Sequence, residues 1–169
     1  SVVTCDLLCD GTHFSVGTDS ALSIGRKTLA VNLSDLAAMA AQPIAAFLAV
    51  ALPRDEASIA ENLLDGMLPL AEQFDVALAG GDTNVWDGRL VVSITLIGRC
   101  PHQPLLRSGA KPGDHLLVTG VLGGSRMGKH FDFTPRIAEA LYLQKHHTLH
   151  AGIDCSDGLS LDAARLAEE

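Results

Sequence analysis

Between Pro43 and Pro53 the chain reads IAAFLAVAL, with no charged or strongly hydrogen-bonding side chain. A short apolar run of small and branched residues with proline at both ends reads as a buried strand. It falls well short of the about 18 apolar residues that mark a membrane helix, and no other stretch reaches that length. Residues 1 to 20 lack the charged and apolar regions of a signal peptide, so the expected location is cytoplasmic with no membrane partner.

A buried strand needs neighbours. Residues 2 to 6 and 90 to 97 are strand-like, and the shorter stretches HLLVTG (115 to 120) and 151 to 154 read the same way. Helical spacing fills the intervals. Residues 55 to 74 repeat Ile59, Leu63, Leu64, Met67, Leu68 and Ala71, with Asp55 or Ser58 as cap and Pro69 expected to kink or divide the helix. The span 22 to 41 fits a helix better than alternation, with Pro43 expected to end it, and helices are also expected over 135 to 145 and 158 to 169. Hydrophobic residues make up 47% of the chain and aromatics 4%, which favours layered α/β packing over an aromatic-rich β-sandwich. The loop Cys100 to Asp114, with three prolines and two glycines, is the natural boundary, dividing residues 1–112 from 113–169.

A net charge of −8 without a Lys/Arg cluster argues against a nucleic-acid partner, because binding a phosphate backbone needs a basic face. A small polyanionic substrate would need metal ions or local donors. Cys5, Cys9, Cys100 and Cys155 have neither zinc spacing nor a disulfide pattern and read as reduced thiols.

Aspartates recur where apolar runs end: Asp6 after VVTC, Asp82 after LAGG, and Asp154 with Asp157 in GIDCSDGL. Hard cations such as Mg²⁺ take oxygen ligands of this kind, whereas turn or helix capping explains any one aspartate alone. Gly80 and Gly81 read as a turn before Asp82. Asp35 lies with Asn32 and Ser34 in an otherwise apolar segment, where an unpartnered carboxylate is costly; a helix cap at Ser34 is the plainer reading. Asp157 or Ser156 could start the last helix, whose free N–H groups suit an anion. The glycine-rich Gly120 to Lys129 lacks the P-loop pattern, Arg107 is either a phosphate donor or a solvated loop residue, and His13 is left open by its spacing. His146, His147 and His150 read as a polar loop.

DLLCDGTHF, AVNLSDLAAMAAQP, LAGGDT, RSGAKPGD and IDCSDGLSLD follow one another along the chain. In that order they resemble the hallmark segments of thiamine-monophosphate kinase. Its superfamily includes aminoimidazole ribonucleotide synthetase, selenide water dikinase and the hydrogenase maturation factor HypE. The resemblance implies Mg²⁺-dependent transfer of the γ-phosphoryl group of ATP to thiamine monophosphate, giving thiamine diphosphate. It also implies an N-terminal ferredoxin-like α/β domain that forms a homodimer through its sheet, followed by the start of a second α/β domain. By the same resemblance Asp6, Asp35, Asp82, Asp154 and Asp157 are metal carboxylates, flanked by Thr4 and Cys5. Gly81, Asp82, Arg107 and Ser156 correspond to nucleotide contacts, His13 to a substrate contact, and Asp82 and Asp157 to catalytic positions. Phosphoryl transfer fits such a set, since it demands alignment and charge neutralisation more than a covalent nucleophile.

The pattern departs from the family at three places. Ala40 stands where glycine is usual, Asp10 where glutamate is usual, and Cys5 where a hydroxyl residue is usual. With no starting Met and an uncapped helical pattern at the end, the chain is expected to lack both ends of the family. Other ATP-dependent members of the superfamily, or a nucleotide-binding and dimerisation module without catalysis, are the alternative readings.

Overall fold

The computed structural model describes residues 1–56 and 58–169. In chain order it begins with strand β1 (Val2–Cys9), helix α1 (Ala21–Ala38) and strand β2 (Gln42–Pro53). Helix α2 (Ile59–Gln73) and strands β3 (Ala77–Trp86) and β4 (Val91–Arg99) follow. The four strands form one sheet in the order β1-β4-β2-β3. Within this sheet β2 and β3 run parallel, joined across α2, while β4 pairs antiparallel with both β1 and β2. The expected α/β class is therefore borne out, with the run between the two prolines at the centre of the sheet. Residue 57, inside the stretch expected to be helical from 55, lies outside the described residues.

Burial alternates along the strands. Val92, Ile94 and Leu96 of β4 are fully buried beneath the helices, together with Ile24, Leu29, Leu33 and Leu36 of α1 and Leu63 and Met67 of α2. The other face carries no helix, and Val3 (63%), Leu7 (57%) and Phe47 (40%) are exposed on it. The central run is thus buried on one side within this chain, at Ala46, Val50 and Leu52.

α1 and α2 approach closely because glycines meet at their crossing. A Cβ on Gly25 would strike the Leu63 carbonyl, and one on Gly66 the Leu22 carbonyl. α1 starts at Ser20, whose hydroxyl accepts from the Ser23 N–H at 3.1 Å. Its end is set by Ala40, with φ of 51°, and not by Pro43. Ala40 N–H donates to Ala37 O and Ala41 N–H to Leu36 O, the pairing of a left-handed helix terminus. α2 stops the same way at Asp75, φ 53°, with Val76 N–H donating to Ala71 O. α2 continues through Pro69 undivided, and Ser58 makes no side-chain cap bond.

The turn expected at Gly80 and Gly81 is absent: β3 runs straight through both. Ala46 pairs with Leu78 but Phe47 with Gly80, so Ala79 is an extra residue in the ladder. Gly81 is needed for a different reason, since a Cβ there would fall on the Leu48 carbonyl of the adjoining strand.

Beyond β4, the stretches 115–120 and 151–154 form no strands. A strand is a pairing, and among the described residues neither stretch has a ladder partner. Leu116, Leu117 and Val118 remain exposed accordingly. The rest comprises α3 (Lys129–Asp132), α4 (Ile137–His146) and α5 (Leu159–Glu168), with α3 and α4 packed on α1. Among the described residues no helix is long and apolar enough to cross a membrane.

Candidate active site

The side chains that converge come from β1, α1 and the segment before α5. On β1 the even-numbered residues face the helices, which places Thr4 and Asp6 on the same side as α1. Thr4 Oγ1 donates to Asp35 Oδ2. One residue earlier on α1, Ser34 Oγ donates to Asp154 Oδ2 at 3.0 Å. Ser34 and Asp35 lie within α1 near its C-terminal end, and the helix starts at Ser20, so neither is the cap that the sequence allowed. The 151–154 segment is held beside α1 through Leu105 N–H donating to Met39 O and Gly152 N–H to Leu106 O.

Burial pushes the Asp6 carboxyl up to about 6, with repulsion from Asp35 and then Asp154 adding to it. Asp154 is also raised, first by burial and then by Asp35; the Ser34 hydrogen bond opposes the shift, as Arg107 does more weakly. Among the described residues no Lys or Arg forms an ion pair with Asp6, Asp35 or Asp154. Three hard oxygen donors whose mutual repulsion Arg107 offsets only weakly have the chemistry that a divalent cation satisfies. Even so, among the described residues no group of three His, Cys, Asp or Glu is arranged to hold an ion as the side chains stand. The two findings are compatible, because charge repulsion reaches much farther than a Mg²⁺–oxygen bond of about 2.0 Å.

The remaining positions lie elsewhere. Asp82 is exposed on β3, and its Oδ1 accepts from the Thr83 N–H at 2.9 Å. Its row across the sheet runs through Ala49 and Ser93 to Leu7, on the helix-free face. Asp6 and Asp82 therefore occupy opposite edge strands and opposite faces. Cys5 shares the helix-free face and accepts from Thr95 Oγ1 at 3.4 Å. Gly81 sits beside Asp82 on β3, while Arg107 and Ser156 are exposed in loops near Asp154 in sequence or in field.

Asp157 is paired: Arg165 Nη1 donates to its Oδ2 at 2.6 Å and also to Asp162 Oδ1 at 2.9 Å. Gly158, and not Ser156 or Asp157, occupies the α5 cap position; the buried Asp162 accepts from the Asp157 N–H. Sequence reasoning passed over Asp162 and Arg165, although their three-residue spacing on a helix was a visible sign of pairing. His13 is exposed in the loop after β1, with Nδ1 accepting from the Cys9 N–H at 3.0 Å. Lys129 of the glycine-rich stretch donates to Val121 O at 2.6 Å. His147 and His150 border a cleft of about 410 Å³ next to Gln144, and His150 is bonded to Asp114 at 2.8 Å.

The family description AIR synthase related protein, N-terminal domain, matches residues 1–100. The chain is 45% identical over 166 residues to a thiamine-monophosphate kinase of Rhodopirellula baltica, covering 98% of this chain and 52% of that protein. With the Escherichia coli K12 thiamine-monophosphate kinase the identity is 35%, covering 98% and 56%. The chain thus spans about half the length of the curated relatives it matches. The structure of AaThiL complexed with AMPPCP and TMP matches with a TM-score of 0.90 at 29% identity, over 98% of this chain and 59% of that one. The crystal structure of the hydrogenase maturation protein HypE, at 20% identity and a TM-score of 0.79, shares the fold. The family likeness read from the five motifs is borne out by these relatives: the chain belongs to the AIR synthase related family, whose N-terminal domain it carries.

Proposed function

We propose that this chain provides the metal- and nucleotide-handling part of an enzyme that phosphorylates thiamine monophosphate to thiamine diphosphate with ATP. The observation that carries the reading is the electrostatic coupling of Asp6 with Asp35 and Asp154, which adds to burial in raising Asp6 to about 6. The motif match and the relatives named thiamine-monophosphate kinase supply the substrate.

Asp6, Asp35 and Asp154 are the residues that would hold Mg²⁺, with Thr4 and Ser34 fixing two of the three carboxylates. A bound Mg²⁺ would neutralise phosphate charge and align the reacting groups. Arg107 contributes positive charge at the Asp154 side, where a phosphate would need it. His13 presents its outer ring edge to substrate, since its Nδ1 is occupied by Cys9 N–H.

Asp82 stands apart from this group, on the helix-free face, while Gly81 beside it lies in the row of Leu48, Ile94 and Asp6. Pairing of two copies through that face would cover Val3, Leu7 and Phe47, so a homodimer fits the exposed apolar surface. In this reading residues 1–112 form the ATP-binding and dimerising unit, and 113–169 begin a second α/β unit.

Full-length protein incubated with ATP, Mg²⁺ and thiamine monophosphate should form thiamine diphosphate, detected by chromatography. Absence of product together with turnover of formylglycinamidine ribonucleotide or selenide would overturn the assignment. Titration of the 169-residue chain with an ATP analogue gives a second check: binding should require Mg²⁺.

A further inference from the structure

Lys27 is a buried cation, 6% exposed, in the middle of α1. It makes no ion pair among the described residues, and burial lowers its pKa below the usual lysine value while the nearby Asp19 opposes the shift. A buried ammonium needs hydrogen-bond acceptors. Lys27 Nζ donates to His13 O at 2.5 Å and lies 2.6 Å from His130 Nε2. With Nζ as the donor, Nε2 accepts and the His130 ring proton sits on Nδ1. The Phe131 ring lies 5.2 Å from Nζ, within cation–π range.

The two acceptors are 117 residues apart in sequence. One belongs to the loop after β1, where Gly11 N–H donates to Phe14 O and Val16 N–H to Asp10 Oδ1. The other belongs to α3. The preceding residue, Arg26, grips the same downstream segment: Nη1 donates to Phe131 O at 2.7 Å and Nη2 to Phe133 O at 2.8 Å, with Asp132 Oδ1 at 3.3 Å. Arg26 has no such bond to the loop. His130 Nε2 also lies 3.1 Å from His13 O, so Lys27 Nζ completes a three-membered junction between the two segments.

We propose that Lys27 is a positioning residue for His13, tying the loop 10–14 to the segment 129–133 so that the two order as one unit. The clamp explains why a charge is buried here at all: with one donor reaching both, the His13 carbonyl and the His130 imidazole nitrogen 3.1 Å from it can both act as acceptors. Its relevance to substrate rests on the proposed function, which gives His13 a substrate contact; the coupling itself does not.

Backbone hydrogen exchange in the 169-residue chain tests the coupling. In Lys27→Met the amides of Gly11, Phe131 and Asp132 should all exchange about tenfold faster, as expected for the loss of a charge-assisted hydrogen bond, while Val92 and Ile94 stay unchanged. Arg26→Met provides the sharper arm, because it touches only the downstream segment. Coupling requires that it loosen Gly11 as well; faster exchange confined to 129–133, or none anywhere, overturns the proposal. This arm also decides the matter if Lys27→Met does not fold. The His130 Nε2 nitrogen shift should leave its acceptor value in Lys27→Met, where the His13 carbonyl 3.1 Å away can only accept from it. In full-length enzyme Lys27→Met should raise KM for thiamine monophosphate more than it lowers kcat, and an unchanged KM with a loosened loop would also overturn the positioning role. If the wild-type enzyme does not phosphorylate thiamine monophosphate, the functional assignment fails and the exchange result still decides the coupling.

Discussion

Ser34 and Asp154, 120 residues apart in sequence, are joined by a 3.0 Å hydrogen bond that fastens the segment before α5 to the C-terminal part of α1. The bond opposes the upward shift that burial and Asp35 impose on Asp154. Ser34→Ala removes the donor and leaves the carboxylate partly buried. The Asp154 carboxyl should then titrate at higher pH, and the protein should lose about 1 kcal/mol of stability. NMR titration and thermal melting check both; an unmoved Asp154 with unchanged melting would show that the bond does not organise the site.

Asp6 gives the fold a pH dependence whose sign follows from its shift. Its folded pKa, about 6, exceeds the ordinary aspartate value of 3.8, so the folded state holds this proton more tightly than the unfolded chain does. The stabilisation is complete below about 3.8 and is lost as pH rises to about 6. Asp6→Asn should therefore melt above wild type at pH 7 and lose that advantage towards pH 3.5. The difference should be on the order of 1 kcal/mol once solvent screening at this half-exposed side chain is allowed for. Melting both proteins across that range measures it, and parallel curves would contradict the assigned shift.

The parts of the fold that were legible in the sequence are those decided by local periodicity. α2 and β2 fall close to their expected positions because hydrophobic spacing and prolines mark them. The GGDT stretch was misread because two glycines look the same in a turn as in a strand pressed against a neighbour. Only the Leu48 carbonyl, supplied by β2, distinguishes the two. The stretches 115–120 and 151–154 have strand composition, but composition cannot provide a pairing partner. The acidic site was partly legible. Asp6, Asp35 and Asp154 were identified through motif order, and their meeting depends on Thr4 and Ser34, two hydroxyls that no periodicity singles out. Lys27 left no sign of burial, because a lysine in a helix reads as surface until α3 covers it.

Asp75 closes α2 with φ of 53°, a left-handed conformation that costs a residue bearing a Cβ about 1 kcal/mol relative to glycine. Its neighbours already make the hydrogen bonds of that terminus, and the side chain is exposed, so little packing is lost on removing it. Asp75→Gly should raise stability by about 0.5–1 kcal/mol. Ala40 has the same geometry but is fully buried, so Ala40→Gly also sacrifices a packed methyl and should gain less. Chemical denaturation of the two variants ranks them, and a larger gain at Ala40 would refute the role given to burial.

Asp82 separates structural from functional importance cleanly. Its carboxylate is exposed and, among the described residues, accepts only the N–H of the next residue, Thr83. Asp82→Asn keeps an oxygen acceptor of the same size and should melt within about 0.5 kcal/mol of wild type. The proposed function gives that charge a place in handling metal and nucleotide, so turnover of thiamine monophosphate by full-length enzyme should fall about 100-fold or more, the range for lost electrostatic stabilisation of a transition state. Since Asp82 lies on the far edge and the opposite face from Asp6, any contribution to the same site must come through the face that two copies would share. Mixing full-length Asp6→Asn and Asp82→Asn proteins tests this. Recovery of activity in the mixture, absent from either variant alone, is the result a shared site requires; no recovery in demonstrably mixed dimers would confine each site to one chain.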